Sequence, residues 1–341
     1  MIENKKNYEQ FDQDMFTPVE MNEQLGERIA GKSLNFWQDA WMRLKKNKAA
    51  IISLSIILIL VALALFGPML SSRDAYEQNI SQAKLPPKVT GLEWAGFDGL
   101  ATLGGREIDF YEQKNVEENF WFGTDYLGRD LWSRIWEGTR ISLFIGLVAA
   151  IIDTIIGVAY GGISAYFGGR TDNIMQRIVE ILTGVPNLIL IILFILIFDP
   201  GVFTIILAMA ITGWIGMSRL VRGQILKLKN QEFVLAARTL GASSGRLIFK
   251  HLIPNTLGAI IITLMFTIPS AIFFEAFLSF IGIGLQPPQA SLGTLINDGY
   301  KELRTFPFLL IIPSVIIVLL MVSFNLLADG LRDAFDPKMR K

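Results

Sequence analysis

The feature that most constrains this chain is a series of apolar stretches, each about twenty residues or longer. A helix that crosses bilayer hydrocarbon needs about 20 mostly apolar residues, because each adds only about 1.5 Å of rise. Six stretches qualify, at 49–70, 139–166, 178–198, 203–222, 256–285 and 307–329. Backbone amides find no water at that depth, so each stretch has to satisfy them internally as a helix. The fold class is therefore an all-α membrane protein with six transmembrane helices. Asp199-Pro200-Gly201 supplies the turn chemistry that separates the third stretch from the fourth. The fifth is long enough to tilt, or to end in a broken segment near Pro287-Pro288. Pro186, Pro269 and Pro313 lie inside stretches three, five and six, where each removes a helix hydrogen bond and favours a kink.

Thirty-one basic and 31 acidic side chains cancel, so net charge gives no sign of a nucleic-acid partner. Their distribution sets the orientation. Arg43, Lys45, Lys46 and Lys48 precede the first stretch, and Arg170 and Arg177 surround the second-to-third turn. Arg219, Arg222, Lys227, Lys229, Arg238, Arg246 and Lys250 crowd the fourth-to-fifth connection, and Arg332, Lys338, Arg340 and Lys341 follow the sixth. The opposite side has only Lys301 and Arg304 in 286–306, and its long 71–138 segment is acid-rich. Both termini are thus expected in the cytoplasm. The expected organisation is a cytoplasmic tail over 1–48 and a transmembrane domain over 49–341, with an extracellular loop at 71–138 and a cytoplasmic loop at 223–255.

Because the first 48 residues are polar, the first apolar run reads as an uncleaved anchor, despite the Ala62-Leu63-Ala64 triplet inside it. Leu34, Trp37, Trp41 and Leu44 share one helical face, with Ser33 placed to cap it and lysines following. That pattern predicts an interfacial helix on the inner leaflet. The mixed charges of 1–30 predict a mobile tail.

The chain has no cysteine and one histidine, His251. Disulfides, thiolate nucleophiles, iron–sulfur clusters and multi-histidine metal sites are excluded. Intramembrane carboxylates are costly and usually face a cavity or a partner. Asp153 and Glu275 are accordingly candidate translocation-path residues, with structural hydrogen bonding as the alternative for each. Glu180 follows Arg177 by three residues and can pair with it on one helix face. Gly157 and Gly161 form a GxxxG arrangement suited to close helix approach.

Between the fourth and fifth stretches, Glu232 to Leu240 is helix-forming, Gly241 can adopt a left-handed stop, and Ser243 or Ser244 can cap a second helix from Gly245 to Ile253, ended near Pro254. The result is a small basic helical hairpin with Ala236, Ala237 and Gly241 exposed, so that another protein can approach closely. An ordinary connecting loop is the alternative.

The spacing Ala236-Ala237-x3-Gly241, continuing to Pro254, resembles the "EAA" loop of permease subunits in binding-protein-dependent ABC importers. Leu235 stands where that family usually has glutamate, and His251 where isoleucine is frequent; Glu232, one turn earlier, is a candidate substitute for the glutamate. Three further stretches resemble the C-type membrane subunits of the peptide and nickel branch: Phe122–Asp130, Leu278–Pro288 and Leu326–Pro337. The resemblance implies a type I importer bundle whose coupling loop (Glu232, Ala236, Ala237, Gly241, Ser243, His251, Pro254) docks on an ATPase. It also implies four kinds of partner: a homologous second permease, two cytoplasmic ATPase subunits, an extracellular or periplasmic peptide-binding protein, and membrane lipid. Asp125, Arg129, Asp130, Gly282, Gly284, Pro287 and Pro288 become candidate docking surface for the binding protein, with a self-packed cap as the alternative. No Gly-x4-Gly-Lys-Ser/Thr phosphate loop is present, so no cofactor is expected in this chain, and ATP and magnesium belong to the ATPase partners. The expected function is import of oligopeptides or dipeptides across the bacterial plasma membrane, without enzymatic activity of its own. Nickel or another small solute, an ion-coupled secondary transporter driven through Asp153, Glu180 or Glu275, and a membrane enzyme are the competing readings.

Overall fold

The computed structural model describes residues 35–335. The chain divides into Met1–Asp39 and Ala40–Lys341. Of the first unit only the opening of a helix is described, where the Asn35 backbone N–H donates to Gln38 Oε1 at 3.2 Å. That helix, α1, runs Phe36–Lys46, with Trp37 and Trp41 exposed and Ala40 and Leu44 buried. A helix is present there, with the expected one-face set split between exposed Trp37 and Trp41 and buried Leu44; the expected cap, Ser33, and Leu34 lie outside the described residues.

Asn47 starts α2 (Lys48–Ser71) by accepting from the Ala50 N–H at 3.2 Å. The segment expected as a loop over 71–138 has structure of its own. It holds a two-stranded antiparallel hairpin, β1 (Leu100–Leu103) with β2 (Arg106–Asp109), and a short helix α3 (Phe110–Gln113) capped by Asp109. Buried Tyr111 donates its hydroxyl to the Pro86 carbonyl at 2.8 Å, which fixes the segment as a packed cap.

Asp130 then caps α4 (Leu131–Phe167), accepting from the Ser133 N–H at 3.0 Å. Here the helix begins eight residues before the apolar stretch, because the capping carboxylate and not hydropathy sets its start. The third stretch is two helices, α5 (Gly169–Gly184) and α6 (Asn187–Phe198), bent by 82°. Pro186 therefore breaks the span, where the sequence promised only a kink: it lacks an N–H, and Val185 before it is extended. The fourth is also divided, into α7 (Val202–Ala210) and α8 (Trp214–Leu228).

α9 (Glu232–Thr239) and α10 (Ser244–Arg246) follow, and a π-helical stretch, Leu247–Leu252, leads without interruption into α11 (Ile253–Phe280). The expected stop near Pro254 is overturned. Proline at the first turn of α11 needs no hydrogen-bonded N–H, and the wider π turn before it absorbs the missing bond. α11 also stops at Phe280, short of the expected 285. Ser291 and Thr294 form a reciprocal capping box at the head of α12 (Leu292–Lys301), and α13 (Phe308–Phe335) closes the fold.

By length and composition, five of these segments can cross a membrane, or six when the bent pair α5–α6 is one span. Close approach is set by glycine. A β-carbon on Gly161 would lie 2.3 Å from the Ser218 carbonyl oxygen, and one on Gly157 2.6 Å from Met217 Cβ, so the GxxxG pair seats α4 on α8. Gly330 does the same for α13 against Ala50 of α2.

Candidate translocation cavity and coupling hairpin

The hairpin between α8 and α11 is built around one backbone conformation. Gly241 has φ +84°, and no atom stands within 4 Å of where its β-carbon would be, so the glycine serves the turn and not packing. Ser243 then caps α10, accepting from the Arg246 N–H at 3.4 Å. Val234, Leu247 and Leu252 are buried and anchor the hairpin to Val221 and Ile225 of α8. Glu232, Ala236, Gly241, Ser243 and Pro254 are exposed, while His251 is half-buried. Ala237 is half-buried too, packed on the anchoring cluster, which corrects the expectation that it is exposed. Leu240 is 88% exposed at the tip, with Phe233, Leu235 and Phe249 also exposed. Sequence reasoning missed this apolar rim, whose signal was Leu240 beside the turn glycine.

A cavity of about 370 Å³ opens among α4, α6, α7 with the turn that follows it, and α11. Asp153 lines it, only 5% exposed, with Oδ1 lacking a hydrogen-bond partner. Gly213 makes room for that carboxylate: a β-carbon there would lie 2.2 Å from Asp153 Oδ2. Thr263, Thr267 and Ser270 of α11 and Asn187 of α6 supply the other polar lining. Asn187 is brought in by the break at Pro186, and its Oδ1 accepts from Thr212 Oγ1 at 2.6 Å.

Glu275 has the same sequence signature as Asp153 and a different situation. It is fully buried, outside the cavity lining, and accepts from Ser142 Oγ and Ser279 Oγ, both at 2.8 Å. Ser142 Oγ in turn accepts from the Leu292 N–H at 3.2 Å. The carboxylate thereby ties α4 and α11 to the head of α12. Glu180 pairs with Arg177 at 2.7 Å on an exposed face, as its spacing predicts.

At the other end, Asp125, Arg129 and Asp130 are all buried. Asp125 Oδ1 accepts from the Leu127 and Arg129 N–H groups at 2.9 and 3.0 Å, and Oδ2 meets Arg129 Nε at 2.6 Å and Arg134 Nε at 3.3 Å. These three residues hold the cap together and present no face. Gly284 is buried against Ser279, whereas Gly282, Pro287 and Pro288 are exposed.

Residues 135–341 match the family model described as binding-protein-dependent transport system inner membrane component, and residues 35–87 match the N-terminal transmembrane domain of oligopeptide transport permease C. The chain belongs to this permease family. It is 46% identical to the oligopeptide transport system permease protein OppC of Bacillus subtilis, over 96% of this chain and 98% of that one. Identity is also 46% to the dipeptide permease DppC of the same organism, over 91% of this chain and 88% of that one. To OppC of Escherichia coli it is 36%, over 93% and 96%. Among solved structures, an inward-facing MetNI methionine ABC transporter superposes with a TM-score of 0.50 at 19% identity, covering 60% of this chain and 96% of that one, a likeness of fold. As a permease of an ABC importer, the chain is a multi-pass membrane transport subunit that works within a larger transporter complex, and not an enzyme.

In this permease several polar side chains of the spans are exposed. They are Thr183, Asn187, Arg219 and Ser270, and Arg219 Nη2 donates to Thr183 Oγ1 at 3.1 Å. Lipid cannot satisfy such groups, so water or another chain covers them.

Proposed function

We propose that this permease imports oligopeptides or dipeptides across the bacterial plasma membrane, driven by two cytoplasmic ATPase subunits that bind ATP and magnesium. It pairs with a homologous second permease and receives solute from an extracellular or periplasmic peptide-binding protein. Both termini and the 223–255 loop lie in the cytoplasm, and the 71–138 cap lies outside, in line with the excess of lysine and arginine at the hairpin end.

The observation that carries the reading is the hairpin: an exposed short helix, Glu232–Thr239, a left-handed Gly241 and an apolar tip at Leu240. An apolar side chain held that far into solvent has no use in the isolated chain, and a groove on an ATPase would bury it. In this reading Ala236, Gly241 and Ser243 set the docking surface, Glu232 supplies its acidic contact, and Ala237, His251 and Pro254 hold the hairpin to α11. ATPase closure moves the hairpin, and ATP binding energy becomes differential stability of two bundle states. Gly282, Pro287 and Pro288 form the accessible part of the binding-protein surface, while Asp125, Arg129, Asp130 and Gly284 keep it in shape.

The test is ATP-dependent uptake of labelled di-, tri- and pentapeptides by cells with and without this chain. Uptake should disappear on deletion and stay absent with Gly241→Val. Uptake unchanged by deletion, with redundant peptide systems also removed, would sink the peptide reading.

A further inference from the structure

The cavity beside Asp153 has an unusual hydrogen-bonding inventory. Thr263 Oγ1 donates to the Ala259 carbonyl, Thr267 Oγ1 to the Thr263 carbonyl and Ser270 Oγ to the Phe266 carbonyl, each at 2.9 Å. Their hydroxyl protons are therefore spent on the backbone of α11, and what they offer the cavity is acceptor lone pairs. Asp153 adds a carboxylate with an unpartnered buried oxygen. Among the described residues no basic side chain forms an ion pair with it; Arg332 lies over the ring of Phe266, but its ion pair is with Asp329 at 3.5 Å. On the donor side there is the Asn187 amide, whose oxygen is already occupied by Thr212.

Acceptors that outnumber donors around an unpaired carboxylate suit a ligand with several N–H donors and a positive charge. Asn187, at the break between α5 and α6, forms part of the wall, and many secondary transporters place their solutes at discontinuous spanning helices. We propose that this cavity is a transit site for the amino terminus of the transported peptide. The terminal ammonium sits on Asp153, with the Thr263, Thr267 and Ser270 oxygens in reach as further acceptors. The Asn187 amide donates to a peptide carbonyl. Met209, Ala271 and Phe274 give the remaining lining an apolar character that accepts many first side chains. This inference rests on the peptide-importer reading and adds a chemical group to it.

Because the chain has no cysteine, Ser270→Cys places a single thiol at the cavity. The experiment follows maleimide alkylation of that thiol in membrane vesicles holding the assembled transporter without its binding protein, so that the binding protein's own selectivity does not enter. Trialanine at about ten times its Kd should slow alkylation about tenfold, while N-acetyl-trialanine leaves the rate unchanged. Adding Asp153→Asn should abolish the protection. Equal slowing by the acetylated peptide, or no slowing by trialanine, overturns the proposal without any variant of Asp153. Equal protection by an N-acetyl peptide carrying a lysine overturns the assignment to the terminus. If peptide uptake still depends on this chain while protection ignores the terminal amine, this inference fails and the importer reading stands. If uptake does not depend on the chain, the importer reading fails instead.

Discussion

Arg222 grips Asp172 at two points, Nε to Oδ1 at 2.7 Å and Nη2 to Oδ2 at 2.6 Å, and so fastens α8 to α5. Ser164 of α4 donates to the same carboxylate, and three helices meet there. A lysine keeps the charge but has no planar fork to match both oxygens. Arg222→Lys should lower stability by about 1–2 kcal/mol and reduce the melting temperature of the detergent-solubilised protein. An unchanged melting temperature would mean that the second contact contributes nothing.

Gly128 packs its α-carbon against the backbone of the cap. A β-carbon there would lie 1.8 Å from the Asn79 carbonyl oxygen, at a φ of +75°. Gly128→Ala should loosen 72–130 and expose it to added protease in intact vesicles, with the hairpin at Gly241 unaffected. Protease resistance equal to wild type would show that the cap can shift as a body.

Asp298 of α12 is half-buried, and its partial burial holds the carboxyl above the usual carboxylate range, against the opposing pull of Lys301, Arg134 and Arg129. The folded protein therefore keeps this proton to a higher pH than the unfolded chain does. The associated stability is fully present below the unfolded value and lost as pH rises through the folded one. The melting temperature of Asp298→Asn minus that of wild type should climb as pH rises above about 4, the ordinary carboxylate value. A difference that falls with pH would show that Lys301 and the arginines outweigh burial.

Leu240 offers a separation of fold from coupling. Since it is 88% exposed, Leu240→Ser should change stability by less than about 0.5 kcal/mol. Loss of a buried leucine at an interface costs about 2 kcal/mol, or about thirtyfold in affinity. The ATPase subunits should therefore dissociate from the purified variant at concentrations where wild type retains them. Full retention would remove Leu240 from the docking surface.

The spans and the hairpin were legible because hydropathy, turn glycine and capping serine act locally. Gly241 and Ser243 fulfil their expected backbone roles. What was not legible depended on distant partners. Asp153 and Glu275 are each a lone carboxylate in an apolar run, and what marks Glu275 as structural is its burial with Ser279 and with Ser142, 133 residues before it, while Asp153 faces a cavity. Asp125, Arg129 and Asp130 read as surface charges because the 72–87 strip that meets this turn, with the Lys84 N–H donating to the Asp125 carbonyl at 2.9 Å, carries no hydrophobic periodicity of its own. Proline announced a disturbance at 186, yet a missing N–H does not by itself fix the size of the bend, which is 82°.

That bend has a consequence beyond solute passage. The last carbonyls of α5 have no successor turn, α6 begins without a side-chain cap, and Gly184, Val185, Pro186 and Asn187 are all exposed. In hydrocarbon each unpaired backbone group costs several kcal/mol. A copy of this subunit made without its neighbours would carry an uninsulated gap partway through the bilayer. The broken helix thereby makes the chain's place in the bilayer depend on cover that it does not itself supply.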